Sequence, residues 1–115
     1  MGANAPARLN IRINKGGAFS KRIAVVNADG TARNLTGYSA KMQIRQDVDD
    51  VVAALTLAPA VVGPSGYVDI TITKVQTAAL TIQSGVWDLW IDNGGSDSPE
   101  YLVEGGVEVK KMVTQ

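Results

Sequence analysis

The chain of 115 residues contains one stretch of strict alternation between apolar and polar side chains, which begins after a turn signal at Thr36-Gly37. Its members, in order, are Tyr38, Ser39, Ala40, Lys41, Met42, Gln43, Ile44 and Arg45. Successive side chains on a β-strand point to opposite faces, so this period of two predicts a strand with one face in a core and the other in solvent. Gly37 is expected to take a positive φ, which a residue without a Cβ adopts at no steric cost.

Similar alternation recurs along the chain and predicts about eight short strands separated by turn residues, as in a sandwich or barrel. Besides the stretch after Gly37, the predicted strands cover residues 9–13, 19–26, 51–57, 67–73, 86–91, 101–103 and 107–113. The segment 51–57 also has a helix-favouring composition, but Pro59 and the turn residues 63–66 close it quickly, which favours a strand. Gly105-Gly106 predicts a bulge or bend, after which the chain continues as an edge-like strand.

One segment, residues 74–82, departs from the β rhythm. Apolar residues recur there at the spacing of one helix face, i, i+3, i+4 and i+7. They are Val75, Ala78, Ala79 and Ile82. Thr73 precedes them and is the expected N-cap. We therefore expect an all-β, immunoglobulin-like antiparallel β-sandwich with one short helical crossover, formed by residues 8–115 as a single domain after an N-terminal arm of residues 1–7.

The amino-acid composition argues against several classes of function. Lys+Arg and Asp+Glu each number 11, so the formal net charge is zero, and there is no electrostatic footprint for nucleic acid or an anionic membrane. Cysteine and histidine are absent, which excludes disulfides, thiolate or imidazole metal sites and any catalytic triad that uses histidine. The first residues lack the basic and apolar regions of a secretory signal, and no apolar run is long enough to span a bilayer.

Two loops are rich in the oxygen ligands that calcium prefers. The first contains Asp47, Asp49 and Asp50, and the second contains Asp92, Asn93, Asp97 and Ser98. The first loop lacks the glycine and distal glutamate of an EF-hand, and a solvated polar turn is the favoured interpretation of both. Nothing in the sequence fixes the separation of Asp88 and Glu100, so surface or cross-strand positions are favoured over a glycosidase pair. We expect no catalytic residues, no metal and no cofactor.

The two tryptophans have opposite parity on the predicted strand 86–91, so both cannot face the same core. Trp87 shares its parity with Leu89 and Ile91 and is the better core anchor. Trp90 is either an exposed residue at an interface with protein or sugar, or part of a satellite cluster beneath the long loop that follows. The sequence favours these two alternatives equally.

Two neighbouring segments resemble a pattern found in small tail-associated structural proteins of phages and prophages. The segment Asn27–Tyr38 contains a D-G turn followed by NLTGY, and Lys41–Arg45 reads KMQIR. The N-terminal β-sandwich module of phage baseplate upper proteins has a D-G turn, then DLTGYT and an R-x-Q-I-R-like strand. Asn34 replaces the acidic residue of that pattern, and Ser39 replaces its second threonine.

The resemblance extends to residues 77–81 and 103–109 and covers residues 13–113. It implies a bacteriophage virion structural protein of the tail, baseplate or fibre-attachment region, which acts through protein–protein contacts and is not an enzyme. The expected partners are other virion proteins, with homo-oligomeric or repeated copies in the particle and without nucleic acid, membrane or a small-molecule substrate. The expected location is the virion, after synthesis in the cytoplasm of a bacterial host.

Two functions of other kinds remain open beside this one. A capsid decoration or cement protein would bind at the symmetry axes of a capsid. A carbohydrate-binding module would present two or more exposed, coplanar aromatic side chains.

The arm at the start of the chain is small and polar and includes a proline, so it has too little apolar surface to order itself against the domain. We expect it to contact a neighbouring chain in an assembled particle by strand addition or arm exchange; the alternative is that it packs on its own domain. The candidate interface residues are Gly2, Ala3, Asn4, Ala5, Pro6 and Ala7, together with Trp90.

Overall fold

The computed structural model describes residues 7–47, 49–50, 52–95 and 99–111. Within these ranges the chain forms nine strands and one short helix. In chain order they are β1 (Ala7–Arg8), β2 (Ile11–Lys15), β3 (Phe19–Ala24), β4 (Ser39–Arg45), β5 (Leu55–Leu57), β6 (Ala60–Val62), β7 (Tyr67–Ile72), α1 (Lys74–Ala78), β8 (Ser84–Asp92) and β9 (Glu100–Lys111).

The strands form two sheets. The six-stranded sheet has the order β1-β9-β8-β4-β5, with β2 also paired to β9, and the three-stranded sheet has the order β3-β7-β6. Strands β1 and β2 run parallel to β9, whereas the other pairs are antiparallel. This arrangement, with α1 crossing from β7 in one sheet to β8 in the other, is that of an immunoglobulin-like sandwich. The predicted all-β fold class is confirmed.

The predicted central strand is β4, and its register is confirmed. Met42 and Ile44 are fully buried, and Ala40 is nearly so. Gly37 precedes the strand with φ at 88°, as the turn signal predicted. The core that β4 helps to form draws residues from both sheets, and its fully buried members are Ile13, Leu35, Met42, Ile44, Val68, Ile70, Ile72, Leu89 and Ile91. Burial of each such aliphatic side chain contributes about 1.5–3 kcal/mol to folding.

The helix α1 begins as predicted but buries a different face. Thr73 is its N-cap, and a reciprocal pair of hydrogen bonds with Gln76 completes a capping box. The predicted buried face is wrong: Val75 is 80% exposed, and Ala78 and Ala79 are also exposed. Thr77 and Leu80 are buried instead. A helix of only five residues ends before the i, i+7 repeat can define a face.

The buried threonine of α1 fixes the turn between β2 and β3. Thr77 Oγ1 accepts a hydrogen bond from the Gly16 backbone N–H at 3.0 Å and donates one to the Gly17 carbonyl at 2.9 Å. Its hydroxyl group is therefore satisfied although the residue is fully buried.

The strand predicted for residues 51–57 and the segment that follows it differ from the structure in two respects. Val51 lies outside the described residues, Val52 is 76% exposed, and the strand covers only Leu55–Leu57. A strand that the alternation did not predict, Ala60–Val62, follows and pairs with β7. The chain changes sheets at Pro59, which has no N–H to donate to a strand ladder.

The prediction for the last β segment is also wrong in two respects. Strand β9 is continuous over 12 residues and lies between β8 and the first strands, so it is not an edge strand. The bulge is not at Gly105-Gly106. Leu89 pairs with Val103 and Trp90 pairs with Tyr101, which leaves Leu102 as the extra residue.

The two glycines of β9 instead allow the first strand to approach closely. Strands β1 and β2 keep one register against β9 but are separated by Leu9 and Asn10, which belong to neither strand. A Cβ added at Gly105 would lie 1.8 Å from the Leu9 carbonyl oxygen. That oxygen accepts a hydrogen bond from Trp87 Nε1 at 2.9 Å, and Asn10 Oδ1 accepts one from the Gly106 N–H at 2.8 Å.

Replacement of Gly105 by alanine should lower the free energy of unfolding by about 1–3 kcal/mol or more, since the new methyl group meets main chain rather than a movable side chain. Urea denaturation monitored by tryptophan fluorescence measures the change.

The matched control is Gly106→Ala on the same strand. Its added Cβ would lie 3.3 Å from the Asn10 side-chain oxygen, which accepts the Gly106 N–H and needs to shift only slightly, so we expect a smaller change of no more than about 1 kcal/mol. Equal effects of the two substitutions would show that the close approach of Leu9 to Gly105 is not what selects glycine there.

Candidate interaction surface

The outer face of the six-stranded sheet carries the predicted interface residue Trp90. Trp87 faces the core and is 2% exposed, as predicted, whereas Trp90 points to the other face and is half-buried. Lys41 and Tyr101 lie opposite Trp90 on the neighbouring strands. The Lys41 ammonium is 5.6 Å from the centroid of the Trp90 ring, within cation–π range, and Tyr101 is 52% exposed. We call these three residues the aromatic row.

A shallow groove of about 190 Å³ lies on the same face and includes the next row of side chains along β8. We call it the outer-face groove. Its lining residues are Arg8, Gln43, Arg45, Val86, Trp87, Asp88, Glu104 and Gly105. Strand pairing places Gln43, Asp88, Glu104 and Arg8 side by side across four strands. The aromatic row and the groove therefore adjoin, because Asp88 and Trp90 are two positions apart on one strand.

The charges in the groove are incompletely paired. Burial raises the pKa of Asp88, Arg45 opposes this shift, and the nearby Glu104 adds to it. Arg45 donates a hydrogen bond to Gln43 Oε1 at 2.8 Å and another to the Asp50 carbonyl. Glu104 is 3.9 Å from Arg8, too far for a good hydrogen bond. Within the ranges that the structure describes, no hydrogen bond or ion pair reaches the Asp88 carboxylate.

The sequence indicated these outward positions but not the groove. Alternation assigned Gln43 and Arg45 to the solvent face of the central strand, and Asp88 shared the parity of Trp90. The groove also requires the register of Glu104 against Asp88, which the misplaced bulge would have changed. The groove also requires the pairing of β1 with β9, which no local sequence pattern predicts.

An ion pair joins the segment between β3 and β4 to the first residue of β9. Arg33 donates two hydrogen bonds of 2.8 Å to the two carboxylate oxygens of Glu100 and a third of 3.2 Å to Tyr38 Oη. The hydrogen bonds from Arg33 hold the pKa of Glu100 below its ordinary value, although partial burial acts in the opposite direction. The pKa of Arg33 is raised by the same contact.

The two carboxylates considered for hydrolysis, Asp88 and Glu100, lie on opposite faces of the sheet. Glu100 lies opposite the buried Ile91 and binds Arg33, whereas Asp88 lies opposite Glu104 on the outer face. They face opposite sides of the sheet and form no pair, which agrees with the cross-strand placement that the sequence favoured.

The oxygen-rich loops use their carboxylates within their own turns. Asp47 Oδ1 accepts the Asp49 N–H and Asp50 Oδ2 accepts the Asp47 N–H, both at 3.1 Å. In the second loop Asp92 Oδ1 accepts the Gly94 N–H at 2.7 Å. Asn93 Oδ1 accepts the Gly95 N–H at 2.8 Å. Asp97 and Ser98 lie outside the described residues.

The remaining predicted interface residues belong to the arm. Gly2, Ala3, Asn4, Ala5 and Pro6 lie outside the described residues. Ala7, the last residue of the predicted arm, is the first residue of β1 and pairs with Val103.

Comparisons with known proteins identify the fold. No protein-family model matches the chain, and no curated protein matches it in sequence. The structure is similar to the N-terminal domain of phage TP901-1 ORF48, with a TM-score of 0.61 and 8% identity over 93% of this chain and 91% of that one. It is also similar to the extracellular domain of the voltage-gated sodium channel β4 subunit, with a TM-score of 0.53 and 8% identity over 96% of this chain and 98% of that one.

At 8% identity these similarities concern the fold. The chain has the fold of a phage protein domain, and this fold is shared with an extracellular domain of an ion-channel subunit. No helix among the described residues is long and apolar enough to cross a membrane.

Substitution of Glu100 by glutamine tests the ion pair with Arg33. Because the pKa of Glu100 is lowered from 4.5 in the folded state, its contribution to stability is complete above the unfolded-state value and is lost as the pH falls through the folded-state pKa. Glu100 is more than a third exposed, so after solvent screening we expect a loss of about 1 kcal/mol at neutral pH. Urea denaturation should show this loss shrinking at acidic pH.

Glu104→Gln is the control, because its partner Arg8 is 3.9 Å away and both side chains are more than half exposed. It should change stability by no more than about 0.5 kcal/mol. A Glu100→Gln deficit that stays constant down to acidic pH would contradict the assignment of the effect to an ionised Glu100.

Proposed function

We propose that the chain is a bacteriophage virion structural protein of the tail, baseplate or fibre-attachment region, and that it acts through protein–protein contacts rather than as an enzyme. The observation that carries this proposal is the similarity in fold, over nearly the whole chain, to the N-terminal domain of a phage protein. The NLTGY and KMQIR segments also support it, because they resemble the pattern of phage baseplate upper proteins. In this structure they form the turn at Gly37 and most of strand β4.

The position of the first strand supports an assembly role for the arm. Strand β1 is exposed at the edge of the six-stranded sheet, so the residues before it continue from a sheet edge. An extended segment there can add to a sheet of a neighbouring subunit, which provides main-chain hydrogen bonds without a large apolar surface. In this proposal Gly2, Ala3, Asn4, Ala5 and Pro6 make that contact with another virion protein or another copy.

Repetition in the particle is the second part of the proposal. The sodium channel β4 domain with the same fold is described as forming parallel homodimers with a role in cell–cell adhesion. A small sandwich of this kind can therefore form contacts between copies, and the zero net charge of this chain imposes little electrostatic repulsion between them. A capsid decoration protein would use the same properties at a different position.

An inventory of purified virions by mass spectrometry, followed by location of the subunit in a particle map, tests the role and the position. We expect the protein in the particle in several copies at the tail, baseplate or fibre attachment. Density at capsid symmetry axes would instead assign it to capsid decoration, and absence from purified particles would refute a virion role.

Deletion of residues 2–6 tests the arm. Because these residues precede the first strand that the structure describes, the melting temperature of the isolated domain should change little, while incorporation into virions should fall. A variant with a Gly-Ser segment of equal length is the matched control, since it keeps the main-chain donors and acceptors and should be incorporated better than the deletion variant. If the deletion variant reaches wild-type occupancy in virions, the arm is not an assembly element.

A further inference from the structure

The aromatic row and the outer-face groove together have the features of a small-ligand site. We propose that this surface binds a saccharide, with a sugar face against the exposed Tyr101 ring beside Trp90 and the sugar hydroxyls hydrogen-bonded to side chains of the groove. This proposal goes beyond a structural role in a particle and does not depend on it.

The aromatic row provides the stacking surface. Tyr101 is 52% exposed although the strand that carries it is central in the sheet. Trp90 lies opposite it, and the Lys41 ammonium lies over the indole ring on the other side of the row. The carbon-bound hydrogens on one face of a pyranose fit the electron-rich face of an aromatic ring, which excludes water from both.

The groove provides hydrogen-bonding groups of both kinds. A sugar hydroxyl is at once a donor and an acceptor, and the groove presents the Asp88 carboxylate as an acceptor and Arg8 as a donor. Asp88 has no hydrogen bond in the described part of the chain, and Arg8 contacts Glu104 only at 3.9 Å. Both side chains can therefore turn to a ligand without breaking a short bond within the protein.

The same chemistry argues against a protein partner at this position. Four charged side chains line the groove, Arg8, Arg45, Asp88 and Glu104. The centre of a protein interface is depleted of charged residues, because a flat partner would remove their water without satisfying each of them. A polyhydroxylated ligand satisfies such groups singly and keeps bridging waters.

The first experiment exposes the full-length protein to an array of bacterial, plant and animal glycans. The glycan that binds best is then titrated into ¹⁵N-labelled protein, together with maltotriose, cellotriose and tri-N-acetylglucosamine. We expect amide shifts concentrated in residues 86–90 and 101–105. Binding of no glycan, or shifts centred elsewhere on the protein, overturns the proposal.

Substitutions separate stacking from general surface effects. Tyr101→Ala should weaken binding about tenfold or more, whereas Tyr101→Phe keeps the ring and should bind nearly as the wild type does. Asp88→Asn should also weaken binding, and Asp49→Asn, an exposed carboxylate in another loop, should not. Retained amide dispersion in each variant shows that the fold is intact. Undiminished binding by Tyr101→Ala, or capture of virion proteins by this face in place of glycans, refutes the saccharide site.

Discussion

The larger sheet depends on a close approach of main chain, in which the Leu9 carbonyl lies against Gly105 and accepts the indole hydrogen bond of Trp87. An indole N–H buried without an acceptor would be costly, so the Leu9 carbonyl between β1 and β2 stabilises Trp87 in the core. Trp87 and Gly105 also form part of the lining of the outer-face groove. The packing of Trp87 in the core and the shape of the groove therefore both depend on the absence of a side chain at Gly105.

The parts of the fold that follow from local periodicity could be predicted from the sequence. The central strand, the positive φ at Gly37 and the burial of Trp87 all follow from residues close in the chain. The failures have a different cause. Strand β6 and the course of β9 depend on which distant strands they pair with, and α1 is too short for its periodicity to select a buried face. The groove was missed for the same reason, since its residues come from four strands.

The two proposed functions use different surfaces of the sandwich. In the first proposal the arm adds to a sheet through main-chain hydrogen bonds, which need little sequence information, so its small residues are suited to that role. The outer face instead carries two aromatic residues and a groove lined by charged side chains of both signs, which is a chemically specific surface. A module built in this way can be anchored at one edge while its outer face remains accessible.

The pairing of the first strands with β9 has a consequence for how the molecule is made. Ile11 lies beside Val107, and Arg12 bonds Glu108 across a separation of 96 positions. During synthesis the first strands must wait until residues 103–111 have left the ribosome before they can pair with β9. Contacts of such high sequence separation slow folding, and the unpaired edge of β8 stays exposed until β9 arrives. Among the described strands, the one made last is thus the one that completes the sheet.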